Sequence, residues 1–553
     1  MVTPDGSLDL VVAADLAAGR DTSRRIYPVD PESLEALLES CEPAVDPGGI
    51  GAAIPFRSFK DFRPERLATR LPAIAKLRSA REQVLEAAAG RRTAESIRPL
   101  LEGLGMGVPG PTPKSPAPPL AGPERPPAAA GGLFDLVDLG EKADAPDPTA
   151  TGQARRLIDL VVGPATAGTE GLRKTAELLE AAFAPALRSA LCDPAFRDLE
   201  ATWRGLRWLV RTLDFRSGIR LHAAGSTKAA LAETVREILL PFALERRSEG
   251  RRTCLVLDFA FDPRAPVEAD MLGRIARCAA ERSVPVVASL EPGAFASGPA
   301  GLEDRSNEAW HRLRDDEASR WLALAANRFL LRLPYGRDLD AVRDFAFEET
   351  APGAEPSHLW GRPGWFVAAL AASSTVRVGW AVDLSGRKAS EALEGLPVRE
   401  MARPSGERIQ SPLEAELGES AAHGWIEAGV LPLAVSPHSD RPFAAGAPSV
   451  RRKGAGEAGS SWRQSLFAEQ VAGRVQRILD QVDPSRSLEE ISRTLVAGLE
   501  LLGLSPEGAE YTVRGEPTRS PRPAVVLQIR PAGGALRGLE EVQLDVPIPL
   551  QGS

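Results

Sequence analysis

The sequence predicts an α/β and α+β protein: a small α/β domain, a proline-rich linker, and a larger multi-layer α/β domain that ends in a helical pair and a β-hairpin. Three observations predict it. Met106–Gly131 holds nine prolines and no sustained apolar periodicity. Such a stretch cannot bury enough surface to offset its ordering entropy, so it reads as a semi-rigid polyproline linker. Beyond Thr212, short apolar strand-like runs alternate with helical patterns, the rhythm of a partly parallel sheet. The C-terminal third instead carries two amphipathic helical stretches and then two strands of strict alternation. The expected boundaries are 1–105, 106–131, 132–450 and 451–553, the last preceded by a Gly/Ala/Ser-rich loop at Arg451–Ser461.

Before the linker, Leu8–Ala14 reads as a strand, Pro31–Ser40 as a short helix and Ala52–Arg57 as another strand. Pro64–Ala89 is helical, with Leu67, Leu71, Ile74, Leu77 and Val84 on one face. Pro64 suits a first helical turn, whereas Pro72 is expected to break or kink the helix. Thr93–Leu101 is a further helix. After the linker, helix Phe196–Val210 places Phe196, Leu199, Trp203, Leu206 and Val210 on one stripe. Strands are expected at Ile219–Ala223, Thr253–Phe259, Val284–Leu290 and Arg328–Leu333, and helices at Thr227–Leu244, Val267–Glu281 and Leu359–Ala372. In the last part, helix Trp462–Val482 is followed by an S-x-x-E capping box at Ser487 and Glu490, and the helix it opens stops at Gly503. The closing strands carry Val525, Leu527 and Ile529 on one face, then Val542, Leu544, Val546 and Ile548 against Glu541, Gln543 and Asp545.

Composition excludes several function classes. At 553 residues the chain exceeds one ordinary core. A net charge of −8 with both signs mixed argues against a dedicated nucleic-acid binder. Cys41, Cys192, Cys254 and Cys278 lie far apart with no CxxC, so neither a disulfide framework nor a zinc set is expected, and a reducing cytosol fits. The start, MVTPDGSLDLVVAADL, has no basic region of a secretory signal. The most apolar window, Trp365–Leu384, carries Arg377 and small polar residues and reads as buried helix and strand rather than a membrane span.

No motif reaches an active site. Gly105, Gly107 and Gly110 match GxGxxG, but they follow a helix and open the linker, where a dinucleotide site needs a strand before and a helix after. There is no GxxxxGK[ST] loop. His222, His311, His358, His423 and His438 have no partner at metal-ligand spacing. Asp258 and Asp262 flank the end of a predicted strand, where α/β enzymes gather ligands. A cap or solvated turn is the plainer expectation for both. No cofactor and no metal is expected.

Two sets of residues go further. In Pro55–Ala87, Phe56, Ser58, Asp61, Phe62, Pro64, Glu65, Pro72, Ala73, Leu77 and Arg81 resemble the signature of the small subunit of the type VI secretion contractile sheath. Asp61 is expected to cap the helix that Pro64 and Glu65 begin. In Leu191–Val210, Pro194, Phe196, Leu199, Glu200, Trp203, Arg204, Gly205 and Leu206 resemble a block of the large subunit. Further blocks follow in the family's order at Arg328–Gly336, Phe345–Glu349, Leu359–Ala369, Glu394–Val398 and Gly429–Leu433.

The resemblance implies a small and a large subunit joined end to end, forming a cytoplasmic protomer without catalysis. It implies self-association into a helical sheath around an inner tube protein, with baseplate components as further partners. Strand exchange would tie neighbours through the C-terminal hairpin, with Val525, Leu527, Ile529, Val542, Leu544, Val546 and Ile548 as interface residues. Leu133, Phe134, Leu136 and Val137 resemble the start of a helix gripped by a disassembly ATPase in the family. Two departures stand out: Leu8 lies almost at the start, where the family has a linking extension, and the large-subunit N-terminal region is short. The first motivates an alternative to the sheath protomer, a non-polymerising sheath-derived baseplate, cap or regulatory component. An enzyme resting on Asp258 and Asp262 is the remote third.

Overall fold

The computed structural model describes residues 7–20, 25–47, 53–103, 169–337, 339–403, 405–452, 461–483, 486–505, 508–518 and 523–548. The proline-rich stretch Met106–Gly131 and the segment holding Leu133, Phe134, Leu136 and Val137 lie outside them. The chain divides into two spatial units, and neither follows the chain-order boundaries expected from the sequence. One takes Met1–Pro43, Leu199–Leu333 and His358–Ser553; the other takes Ala44–Asp198 and Pro334–Ser357. Each unit therefore draws on residues from both sides of the proline-rich stretch.

The first unit is built on an eight-stranded sheet. Its strands are β1 (Leu8–Ala14), β2 (Ile26–Val29), β3 (Ile219–Gly225), β4 (Arg252–Phe261), β5 (Val286–Leu290), β6 (Leu322–Ala326), β7 (Val430–Val435) and β8 (Pro442–Ala444), in the spatial order β8-β7-β6-β5-β4-β1-β3-β2. The inner pairs are parallel, and β2 and β8 close the edges antiparallel. Strands buried on both faces need apolar residues at nearly every position. β1, LDLVVAA, meets that need, and all seven of its residues are buried. It runs parallel to β3 from Leu8↔Ile219 to Ala14↔Gly225, and to β4 from Leu8↔Arg252 to Ala13↔Leu257. The first predicted strand thus lies mid-sheet, between two strands from beyond the linker.

Helices cover both faces. Val11 and Ala13 join Leu255, Leu257 and Ile275 in the core beneath helix Pro266–Arg282. Against β1, β4, β5 and β6 lies helix Pro363–Val378, buried along its first ten residues. The sequence suggested a helix from Leu359. Instead Leu359–Gly361 pairs antiparallel with Phe329–Arg332, and the helix starts at Pro363, whose missing N–H suits the first turn. No helix among the described residues is long and apolar enough to cross a membrane.

The C-terminal part of this unit carries helices α1 (Trp462–Leu479) and α2 (Leu488–Leu502). The Ser487–Glu490 capping box forms as expected, with both reciprocal bonds. The expected hairpin is present as β10 (Ala524–Pro531) and β11 (Val542–Pro547), and β9 (Tyr511–Thr518) adds a third antiparallel strand. β9 escapes pattern reading because Gly515 and Pro517 occupy the positions that continue the Tyr511–Val513 apolar face.

In the second unit, helix Pro64–Arg70 ends before Pro72, and Pro72 begins the next helix, Pro72–Ala88. Leu67, Leu71, Ile74, Leu77 and Val84 are all buried. The Pro72–Ala88 helix packs with Ala94–Gly103 and with Thr169–Cys192, joining Leu77, Val84, Ile97 and Leu101 to Ala176 and Leu179. The strand expected at Ala52–Arg57 shortens to Ile54–Pro55. Asp61 does not cap the Pro64 helix. It is the third residue of the 3-10 turn Phe59–Phe62, where its carboxylate accepts the backbone N–H groups of Arg57 and Ser58.

Buried ion pairs stiffen the first unit. Asp9 in β1 takes hydrogen bonds from the Arg251 guanidinium, with Nε 2.6 Å away, and faces His222 Nε2 at 3.5 Å. Glu200 is fully buried and accepts Arg332 through both oxygens, at 2.9 and 3.0 Å, and Arg204 Nε at 2.6 Å. Burial, the largest influence, would raise both carboxyls. His222 and Arg251 outweigh it at Asp9, as Arg332 and Arg204 do at Glu200, so both lie below their ordinary values. A carboxyl lowered in the folded state stabilises the fold above its unfolded value, and that contribution is lost as pH falls through the folded value. Urea midpoints measured at decreasing pH should therefore fall steadily below about pH 4, the ordinary carboxylate range. Asp9→Asn should flatten that dependence; an unchanged profile would remove Asp9 from the account.

Candidate functional site

The carboxyl ends of parallel strands are the first place to look for chemistry. Asp258 sits in β4 between Leu257 and Phe259 and points the other way, toward the Pro363–Val378 helix. It is buried and accepts Thr202 Oγ1 at 2.7 Å, Trp365 Nε1 at 2.7 Å and Arg362 Nη1 at 3.1 Å. Those three donors tie it into the packing between strand and helix. Asp262 lies past the strand end, where hydrogen bonds from Arg264 hold its carboxyl below the ordinary value. The two aspartates do not converge on a common point of attack. Among the described residues, no group of three or more His, Cys, Asp or Glu is placed to hold a metal ion.

The residues that resemble signature blocks meet one another instead. Phe56 and Phe62 stack at 4.8 Å, and both lie against Phe196, at 5.7 and 6.0 Å. These rings come from opposite sides of the proline-rich stretch. Arg63 pairs with Asp340 at 3.1 Å, and Arg81 with Glu180 at 2.8 Å. In the other unit, Arg332 answers Glu200 across 132 residues of chain. Gly205 is required where Trp365 passes: a Cβ there would come within 2.9 Å of Trp365 Nε1, the atom that donates to Asp258. The blocks at Leu191–Val210, Arg328–Gly336 and Leu359–Ala369 are therefore one set of packing contacts spread over three segments.

The C-terminal sheet places the strand residues singled out from sequence. Val525, Leu527 and Ile529 of β10 are wholly buried; Val542, Val546 and Ile548 are buried; Leu544 is half-buried. β9 and β10 pack within this chain under α2. Gly515 of β9 lets that helix approach, because a Cβ there would lie 2.7 Å from Val496 Cγ2. What stays open is the strand order: β9 and β11 are the two edges. β9 carries Gly515 and Pro517, which weaken an edge for pairing. On β11, Gln543 and Asp545 are exposed and flank Leu544.

One polar cluster escapes sequence reasoning. Arg252 in β4 is buried, donates to the Gly379 carbonyl at 3.1 Å, and lies near Glu469 of α1. Burial above all, and then Arg474, push its guanidinium down to about 9. Arg474 stacks over Trp380 at 4.1 Å and donates to Tyr511 Oη at 3.0 Å, while Trp380 Nε1 donates to Glu510 at 2.7 Å. This cluster locks the C-terminal layer to β4. Its only sequence signal is a charged residue at the mouth of an apolar strand.

Comparison with known proteins finds similarity in the central region. Residues 251–451 match the family model described as EvpB/VC_A0108, tail sheath N-terminal domain. The type VI secretion system sheath protein TssC1 of Pseudomonas aeruginosa is 26% identical over 285 residues, covering 46% of this chain and 57% of that protein. The chain thus spans little more than half the length of that curated relative. Among solved structures, the anti-feeding prophage helical sheath in the contracted state is similar at a TM-score of 0.33 and 10% identity, over 63% of this chain and 78% of that one. The PVC sheath complex of an extracellular contractile injection system, also contracted, gives 0.36 and 10%, over 61% and 78%.

Proposed function

We propose, from the large-subunit sheath domain that residues 251–451 match, that this chain is a structural protomer of a type VI-like contractile sheath. In this proposal residues 1–105 are its small-subunit half, joined through Met106–Gly131. The observation that carries it is β1, which enters the sheet beside β4, the strand that opens the matched region. Two subunits of one heterodimer would interlock in this way, and fusion would hold them at one to one. Contraction would drive an inner tube outward from a baseplate, in the cytoplasm, with no bond made or broken by the sheath. Recognition by a disassembly ATPase through Leu133, Phe134, Leu136 and Val137 belongs to the same proposal.

Neighbouring protomers would pair through the C-terminal sheet. β9 and β10 already lie under α2, and Gly515 and Pro517 weaken the β9 edge, so the outer edge of β11 is the element that would accept a strand. Negative-stain microscopy of the purified chain, alone and with tube protein, should show hollow helical tubes. Deleting Gly538–Ser553 removes β11 and should abolish the tubes while the far-UV CD signal stays native. Monomers under all conditions would overturn the proposal.

A further inference from the structure

The N-terminal segment is held by two slots, one in each unit. β1 fills the gap between β3 and β4. The Pro72–Ala88 helix fills the groove lined by Leu179 and Ala176 of Thr169–Cys192. Its covalent connection to the rest of the chain runs solely through residues 104–168. All other contacts made by residues 7–103 are non-covalent, so they do not depend on which copy of the chain supplies the slots.

We propose that the slot between β3 and β4 also accepts β1 of a second copy of this chain, so that the protein forms segment-swapped pairs or chains. The inference stands on strand order and connectivity and does not rest on the proposed function. A closed and a swapped protein would share every strand register and every core contact; they differ only in the tether. A tether favours the closed form by its effective concentration, of order millimolar for a short flexible linker and lower for a longer one. About 65 residues separate Gly103 from Thr169. At ~3.3 Å each they can reach at most roughly 215 Å, enough to span to a neighbouring molecule. Wherever copies are held at comparable local concentration, as on a ribosome cluster or in an assembly, swapping competes with closure.

The same geometry sets when exchange happens. β1 is the sixth strand of eight and is buried along its whole length. Removing it opens two ladders at once, so the folded protein should keep the partner it folded with. The choice is made during folding and persists on dilution.

The register supplies the test, because Leu10 lies directly opposite Cys254 and both are fully buried. Two full-length chains are co-expressed: one carries L10C with C254S, the other is wild type. With Cys41, Cys192 and Cys278 changed to Ser in both chains, a disulfide between them needs β1 of the first in the slot of the second. Oxidised protein on a denaturing, non-reducing gel should show a covalent dimer; mixing the two after separate folding should show none. The L10C single substitution serves as control and should lose both facing thiols. A second readout needs no thiol. A protease site within 106–131 and different tags on the two chains report, after cleavage, whether the tagged N-terminal segment of one copy sits in a particle with the body of the other. Up to about half of the segments should be exchanged. Segments found only with their own body, and no covalent dimer, would overturn the proposal.

Discussion

Leu10→Asp is expected to abolish the native fold of the whole first unit, including parts of it more than 400 residues away in sequence. Leu10 is fully buried at the centre of β1, opposite Leu221 on one side and Cys254 on the other. A carboxylate there has no cation in register. It must be buried unpaired or take up a proton, at a cost of several kcal/mol, which is comparable to the ~5–15 kcal/mol net stability of a domain. Far-UV CD and limited proteolysis of the soluble fraction measure the loss. Leu10→Val should cost only about 1 kcal/mol, and Val376→Asp, on the exposed face of the Pro363–Val378 helix, should leave the protein folded. If residues 1–105 were an independent domain, Leu10→Asp would leave the remaining chain protease-resistant. That outcome would remove β1 from the centre of the sheet.

Arg332→Ala should destabilise the first unit by about 3–5 kcal/mol, the usual consequence of stripping one partner from a buried ion pair. Glu200 is fully buried and receives Arg332 at both oxygens, while Arg204, itself partly exposed, adds one bond. Without Arg332 the carboxylate loses two of its three donors and keeps its burial. Urea denaturation reads the effect as a lower midpoint with an unchanged slope. The double substitution E200L/R332L should recover much of the loss, because it removes both buried charges and leaves only the partly exposed Arg204. A single substitution that costs less than 1 kcal/mol would mean that water reaches Glu200.

Much of the element pattern was legible in the chain. Leu8–Ala14 is a strand over the predicted residues, because a short run apolar at every position but Asp9 has no amphipathic helical reading. The Ser487 capping box and the break at Pro72 formed where local chemistry demanded them. The sequence puts Val525, Leu527 and Ile529 on one strand face, yet alternation alone does not say what covers that face. α2, a helix of the same chain, lies over β9 and β10. Asp258 shows the opposite gap. Its position near a strand end suggested chemistry, and only the convergence of Thr202, Arg362 and Trp365, from two distant segments, reveals a packing role.

The proline-rich stretch illustrates the boundary between the two kinds of information. By itself the sequence determined that 106–131 cannot carry a core, because proline removes backbone donors and the stretch offers too little apolar surface. It determined strand and helix periods on either side, and the order of the blocks that resemble a sheath. Whether the seam separates two folded bodies was decided in three dimensions. The faces of β1, apolar but for Asp9, are covered by helices, while its backbone N–H and C=O groups need a strand on each side. β3 and β4, from beyond the linker, supply those edges. Strand partners are chosen by long-range burial, which no local period records.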